Sequence, residues 1–232
     1  MEIRDFEDLI KAQINDIILK IIANNIYLNI SAKSRAGAEI SDWLEERFVE
    51  ESENHQYLKN SEFAPKGKTK NPWDARTFFT YHNHREEIWI DFKAFKLSGK
   101  DSNPDIGTPN KIIDFIEKGG FYLLYVYVYY EEYKNGLKFV EEDGNFTKSY
   151  FLKDISSTVR RTPTNQLQVN MSANPTYRTR DEFIELLMEK LREGLVRQLE
   201  QATEKLVTID AKKIHLKNQN IKSEFTIKQN LQ

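Results

Sequence analysis

The segment FYLLYVYVYYEEY, residues 121–133, constrains the fold more than any other part of the chain. Its apolar side chains form a continuous run, which predicts a β-strand that is covered on both faces. A strand of this kind lies in the middle of a sheet, with helices packed on either side. Because further strand and helix patterns surround it, we predict an α/β (α+β) fold with a mixed central β-sheet flanked by helices.

Four helices are predicted around this strand. Apolar side chains recur at helical spacing over residues 3–24 and residues 36–51. The segment TPNKIIDFIEKGG predicts a short third helix, with Thr108 as N-cap and Pro109 as its first residue. The sequence TRDE, residues 179–182, is a capping box that opens a fourth helix, which we expect to end near Leu206.

Further strands are predicted from the segments GLKFVEE, SYFLKDI and NQLQVNM, and the polar residues 51–73 are interpreted as a loop. The chain has no internal repeat, low-complexity tract or change of composition that would mark a linker. We therefore interpret residues 1–232 as one domain.

The composition excludes several kinds of site. The chain contains no cysteine, so disulfides, thiolate metal sites and cysteine nucleophiles are ruled out, and a metal would be held by oxygen or histidine. No apolar run is long enough to span a membrane and no signal-peptide pattern is present, which predicts a cytoplasmic protein. The net charge of −2 gives no overall attraction for nucleic acid, so such binding would need local basic clusters.

The apolar strand EIWIDFKAFK, residues 87–96, carries an acid and an amine two residues apart. Asp91 and Lys93 therefore project from the same face, while Phe92 points away into the packing. The segment DARTFFTY precedes HNHRE and predicts the other arm of a hairpin, whose antiparallel pairing brings Asp74 towards Asp91. Two converging carboxylates suit Mg²⁺, and a nearby lysine can stabilise charge on a phosphate.

The order Pro-x-Asp, hairpin, Asp-x-Lys resembles the catalytic core of the PD-(D/E)xK nucleases. The helix TPNKIIDFI, the aromatic strand, the strand NQLQVNM and the TRDEF helix start extend the resemblance to the EcoRV and HincII branch of type II restriction endonucleases, over about residues 35–207. The resemblance implies a restriction-endonuclease-like fold. It also implies that Asp74, Asp91 and the backbone carbonyl of Phe92 hold Mg²⁺, and that Lys93 positions the attacking water. The sequence departs from the family motif where Trp73 separates Pro72 from Asp74.

The same family often adds a glutamate from an N-terminal helix, usually after a glycine. Gly37 precedes Glu39, which we take as the first candidate for this acid. Asp42 and Glu45 lie on the same helix and stay open as alternatives.

Candidate DNA contacts are polar or basic side chains in three segments, at the end of the Asp-x-Lys strand, at the start of the third helix and within TVRRTPTNQ. They are Ser98, Lys100, Asn103, Asn110, Arg160, Arg161, Thr164, Asn165 and Gln166. A solvated turn is the alternative interpretation of the last segment.

The sequence thus predicts a type II restriction endonuclease that hydrolyses double-stranded DNA with Mg²⁺ and, by the resemblance, leaves 5′ phosphates. A palindromic target favours a homodimer, and a cognate DNA methyltransferase would protect host sites. Residues 35–207 would form the catalytic and DNA-binding core, residues 1–28 a helix used in the core or in dimerisation, and residues 208–232 a tail or short strand. Two alternatives stay open: a repair or recombination nuclease of the same superfamily, and a non-catalytic DNA-binding module with a structural Asp91–Lys93 ion pair.

Overall fold

The computed structural model describes residues 2–31, 35–64, 73–99, 106–162, 166–170 and 173–229, with side chains as far as residue 220. Within these ranges the chain forms four α-helices, nine β-strands and one 3₁₀ turn. The elements are α1 Ile3–Asn24, β1 Tyr27–Leu28, α2 Ala36–Ser52, β2 Leu58–Phe63, β3 Ala75–Tyr81, β4 His84–Lys96, α3 Pro109–Glu117, β5 Tyr122–Tyr133, β6 Gly136–Phe139, β7 Thr147–Phe151, the 3₁₀ turn Leu152–Asp154, β8 Arg160–Arg161, β9 Leu167–Gln168 and α4 Arg180–Gln229.

The central sheet has seven strands in the order β1-β6-β5-β4-β3-β2, and β7 also pairs with β5. Strands β4 and β5 are parallel and are connected through α3, while the other pairs in this sheet are antiparallel. Helices cover both faces of the sheet. The predicted mixed sheet flanked by helices is therefore confirmed.

Strand β5 occupies the position that its apolar run predicted. Residues 122–130 are all buried, and β4 borders the strand on one side while β6 and β7 border it on the other. Side chains of alternate residues enter two separate cores. One core lies under α1 and α2, and the other lies under α3 and the beginning of α4.

Helix α1 contributes its apolar stripe to the first core. Ile10, Ile14 and Ile18 are fully buried there, together with residues of α2 and the sheet. Of the two uses that the sequence left open for this stripe, the structure shows the core. These three side chains are covered by the protein itself, whereas Ile3 at the start of the helix is exposed.

The structure corrects the sequence interpretation in three places. Residues 51–73, interpreted as a loop, contain the edge strand β2, whose burial is largely confined to Leu58. Among the described residues of NQLQVNM, only Leu167–Gln168 form a strand, β9, which pairs with β8 in a separate small sheet. The last helix does not end near Leu206 but continues to Gln229, because no glycine or proline follows Gly194 to stop it.

The capping box of α4 is confirmed. Thr179 Oγ1 accepts a hydrogen bond from the Glu182 backbone N–H, and the Glu182 carboxylate accepts one from the Thr179 N–H at 2.7 Å. This reciprocal pair fixes the point at which the long helix begins. In α3, Pro109 is the first helical residue as predicted, although Thr108 makes no side-chain capping bond.

Candidate active site

The candidate site lies where strand β4 extends beyond the end of its neighbour β3. The first residue of β3, Ala75, is paired with Ile90, so the half of β4 that begins at Asp91 lacks β3 as a ladder partner. Asp74 closes the end of this ladder. Its backbone N–H donates to Ile90 O at 2.9 Å, and its Oδ2 accepts a hydrogen bond from the Phe92 N–H at 2.7 Å.

Asp91 and Lys93 lie beside this capped end. The Lys93 ammonium forms an ion pair with Asp91 Oδ1; the Lys93 side chain is 27% exposed and the Asp91 side chain 14%. Phe92 points to the opposite face, where it is buried in the first core. The period of two along a strand thus brings the acid and the amine together on one face, as the sequence predicted.

Burial raises the pKa values of both carboxyl groups, and the charge of Asp91 adds to the rise at Asp74. Desolvation and the neighbouring charge of Asp91 raise the pKa of Asp74 to about 7, against the opposing effects of Lys93 and the Phe92 N–H. Burial also raises the pKa of Asp91, although its ion pair with Lys93 and its hydrogen bond with Asp74 lower it. The negative charge of Asp91 therefore disfavours ionisation of Asp74.

Helix α2 approaches this part of β4 closely. A Cβ atom on Gly37 would lie 3.0 Å from the backbone oxygen of Ala94, so glycine permits the contact. Ser41 and Glu45 follow at intervals of four residues on the same side of the helix. This side leads from the end of β4 towards Asp74.

The three candidate helix acids occupy different environments. Glu39 and Asp42 are exposed, whereas Glu45 is half-buried. Glu45 Oε1 accepts a hydrogen bond from the Ala64 N–H at 2.9 Å, and the same N–H points to the backbone oxygen of Asp74. The charge of Glu45 contributes to the raised pKa of Asp74. Of the three, Glu45 is therefore the acid whose field reaches the carboxylate pair.

Within the described ranges, no group of three or more histidine, aspartate or glutamate side chains is close enough to hold a metal ion. The cluster at the end of β4 consists of the two carboxylates and the lysine.

The candidate DNA-contact residues differ in solvent exposure. Ser98 is exposed and its Oγ donates to Glu131 at 2.7 Å, and Asn110 is exposed on the first turn of α3. Arg160 is exposed, with its guanidinium bound to Gln168 Oε1 at 2.8 and 3.2 Å. Gln166 is half-buried, and its backbone N–H donates to Thr162 Oγ1. The remaining candidates Lys100, Asn103, Thr164 and Asn165 lie outside the described residues.

Arg161 is different from its neighbour, because it is only 5% exposed. Its Nη1 donates to the backbone oxygen of Leu191 at 3.1 Å, and its side chain packs on Gly194 of α4. In this structure Arg161 attaches α4 to the small β8–β9 sheet and does not face the solvent. The alternation of exposed and buried residues in a strand explains why two adjacent arginines have opposite environments.

A cluster of buried tyrosines beside the site was not identified from the sequence. Tyr127 and Tyr150 share a hydrogen bond of 2.7 Å between their hydroxyls, and Tyr125 donates to the Ile106 backbone oxygen at 2.5 Å. Burial raises the pKa values of all three hydroxyls, and the Asp91 charge adds to the rise. The sequence carried a signal for this cluster, because the Asp-x-Lys pair and Tyr125 and Tyr127 of β5 all occupy odd-numbered positions. Parallel pairing of the two strands puts Asp91 opposite Tyr125.

Comparison with known proteins identifies the family of the chain. A family model described as SwaI-like, SwaI restriction endonuclease, matches residues 2–209. The chain therefore belongs to the SwaI-like restriction endonuclease family.

Among solved structures, the fold is similar to that of the NlaIV restriction endonuclease, with a TM-score of 0.44 and 14% sequence identity. This similarity covers 69% of the present chain and 66% of that chain, just under two thirds of its length. No curated protein matches the sequence. In the part of the chain that the structure describes, no helix has the length and apolarity needed to cross a membrane.

Proposed function

We propose that this protein is a type II restriction endonuclease that hydrolyses phosphodiesters at a short palindromic site in double-stranded DNA, with Mg²⁺ as its cofactor. The observation that carries the proposal is the arrangement of Asp74, Asp91 and Lys93 at the end of the β3–β4 ladder, in a chain of a restriction endonuclease family. We also propose that the protein resembles the EcoRV and HincII branch. The features that support this resemblance are the Asp-x-Lys strand and the helix and strand that follow it.

Asp74 and Asp91 are suited to hold Mg²⁺. Two neighbouring carboxyl groups with raised pKa values are poorly stabilised as anions, and a divalent cation would offset both burial and mutual repulsion. Apart from its ion pair, Asp91 Oδ1 is buried without a hydrogen-bond partner. The backbone carbonyl of Phe92 is a further proposed ligand, by the PD-(D/E)xK resemblance. The cation would activate a water molecule and neutralise charge on the phosphate.

Lys93 is proposed to orient the attacking water and to stabilise the negative charge that develops on the phosphate oxygens. Its place next to Asp91 and its partial burial support this role, since a lysine held at one position makes a directed donor. Water attacks the phosphorus in line with the 3′ oxygen. The bond between phosphorus and the 3′ oxygen breaks, and the 5′ phosphate remains.

Glu45 is the helix acid that we propose for this site, in place of Glu39. It is half-buried and its charge acts on Asp74, while Glu39 is exposed. Glu45→Ala should reduce the rate of DNA cleavage, and the matched change Glu39→Ala should not. Equal rates for the two variants would remove Glu45 from the catalytic group.

Ser98, Asn110, Arg160 and Gln166 are the described side chains that we propose for DNA contacts, together with Lys100, Asn103, Thr164 and Asn165. Each of the described four is exposed or half-buried. Arg161 is omitted from the proposal because it is buried against α4.

A homodimer with two-fold symmetry would present each subunit to one half of a palindrome, so that each active site cuts one strand. A DNA methyltransferase of the same specificity would protect the host sites, with no contact between the two proteins required. We place the enzyme in the cytoplasm, since a chain without cysteine fits a reducing compartment.

The proposal is tested by incubating the purified protein with unmethylated phage DNA and Mg²⁺, with EDTA in a parallel sample. We expect discrete fragments on a gel, no fragments with EDTA, and ends that DNA ligase joins because they carry 5′ phosphates. DNA that stays intact in every sample, or a smear without discrete bands, would contradict a site-specific nuclease.

A further inference from the structure

The distal part of α4 is an exposed helix with many apolar side chains. From residue 195 to residue 220 every side chain is exposed, over about 40 Å at 1.5 Å per residue. The large apolar side chains among them are Leu195, Val196, Leu199, Leu206, Val207, Ile209, Ile214 and Leu216. Most helices of proteins depend on the packing of an apolar face, and exposed apolar surface of this extent is typical of an interface.

Five of these eight side chains follow a repeat of seven residues. One set, at intervals of seven, is Met188, Leu195, Ala202, Ile209 and Leu216. The second set, four residues after each of these, is Arg192, Leu199, Leu206, Lys213 and Asn220. They correspond to the d and a positions of a coiled coil, and we call the two sets together the α4 seam. A repeat kept over more than three heptads is typical of a coiled coil.

The apolar side chains of the α4 seam lie beside the buried side of the helix and are exposed. Phe183, Leu187 and Gly194 are buried, and they lie on the side of the helix that packs on the second core and on Arg161. At 3.6 residues per turn, Met188 and Leu195 lie about 100° around the helix from Leu187 and Gly194, and they are 46% and 58% exposed. A second helix can therefore approach the seam along its whole length without displacing the body.

We propose that a second copy of this chain occupies the α4 seam, and that the two helices form a parallel coiled coil. In the parallel arrangement like positions face each other, so Asn220 meets Asn220 of the partner subunit and Lys205 meets Asp210 of the partner subunit. A polar residue at an a position, such as Asn220 or Lys213, fixes the register of the two helices. It does so at a cost in the stability of the coiled coil. The parallel orientation also holds the two folded bodies at the same end of the coiled coil. The choice of this orientation rests on the proposed function, in which a dimer acts on a palindrome.

The interface is tested by sedimentation of the full-length protein at micromolar concentrations, without DNA or Mg²⁺. We expect the wild type to sediment as a dimer and Leu206→Glu to sediment as a monomer. Val207→Glu is the matched control, because Val207 is 65% exposed and Leu206 63%, but Val207 lies outside the seam. Far-UV circular dichroism and thermal unfolding of the body check that both variants fold. A monomeric wild type, or the same mass for both variants, would overturn the proposal.

The orientation is tested with single cysteines, which report clearly because the chain contains none of its own. Under mild oxidation Ile209→Cys should form a disulfide-linked dimer, since Ile209 faces its own copy in a parallel seam. Thr208→Cys, one residue away and outside the seam, should not. A dimer that Ile209→Cys leaves unlinked would overturn the parallel arrangement. These measurements use no substrate, so an inactive dimer would refute the nuclease and an active monomer would refute the interface.

Discussion

At the scale of single residues, the candidate site combines a structural and a chemical use of the same side chain. The Asp74 carboxylate accepts a hydrogen bond from the Phe92 N–H, for which a continued β3 would supply the acceptor. The side chain thereby ends the ladder. The same carboxyl group is buried beside Asp91, which raises its pKa to about 7. The fold therefore holds a group whose charge is unfavourable without a cation, as is common where function requires it.

The pH dependence of stability tests this environment in the presence of EDTA. Because the pKa of folded Asp74 lies above its unfolded value, its contribution to stability is present at low pH and is lost as the pH rises through about 7. Asp74→Asn keeps an oxygen for the Phe92 N–H but carries no charge. Its free energy of unfolding relative to the wild type should rise by about 1–3 kcal/mol between about pH 5 and about pH 8. Exposed Asp42→Asn is the control, and a pH-independent difference for Asp74→Asn would contradict the burial effect.

At the scale of secondary-structure elements, α4 is joined to the body through few contacts. Arg161 of β8 donates to Leu191 O and packs on Gly194, and both of these residues lie in the first third of the long helix. Arg160, the adjacent residue, is exposed and bound to Gln168. Two neighbouring arginines are therefore expected to have separate roles, one in helix attachment and one in DNA binding.

Alanine variants of the two arginines separate these roles. Arg161→Ala should lower the free energy of unfolding by about 1–3 kcal/mol, because it removes a buried hydrogen bond and its packing. Arg160→Ala should leave stability almost unchanged and reduce the slope of log affinity for DNA against log salt by about 1. Thermal unfolding and fluorescence anisotropy at several salt concentrations measure both effects. A loss of stability in Arg160→Ala, or a changed salt slope in Arg161→Ala, would reverse the assignment.

The sequence was sufficient for elements with a strong local pattern and insufficient where tertiary contacts decide. The buried run of β5, the α1 stripe and the capping box at Thr179 each carry their own periodicity or cap, and each was predicted correctly. Strand β2 has little burial of its own and exists because it pairs with β3. The direction in which Arg161 points, and the contact of Glu45 with Ala64, depend on packing between distant segments. Asp91 and Lys93 could be paired from the period of two alone.

At the scale of the whole molecule, we expect metal binding to stabilise the folded chain. At about one hundred times its dissociation constant, Mg²⁺ should raise Tm by about 5–10 °C for a domain of this size. Asp91→Asn should lose most of this rise, because it removes one of the proposed ligands. Differential scanning fluorimetry at constant ionic strength measures the shift. An equal rise in the wild type and in Asp91→Asn would indicate that the cation acts elsewhere.

The role of Lys93 in catalysis is measured by the rate of DNA cleavage by Lys93→Ala under single-turnover conditions, with DNA affinity determined separately without metal. We predict that cleavage falls by at least about 10²-fold while affinity is kept, because Lys93 acts on the developing charge and not on binding. Lys96→Ala is the control, since Lys96 lies on the same strand and is ion-paired with Glu132 at its exposed end. Cleavage that survives in Lys93→Ala at the wild-type rate would show that the Asp91–Lys93 pair is a structural ion pair and that the active site lies elsewhere.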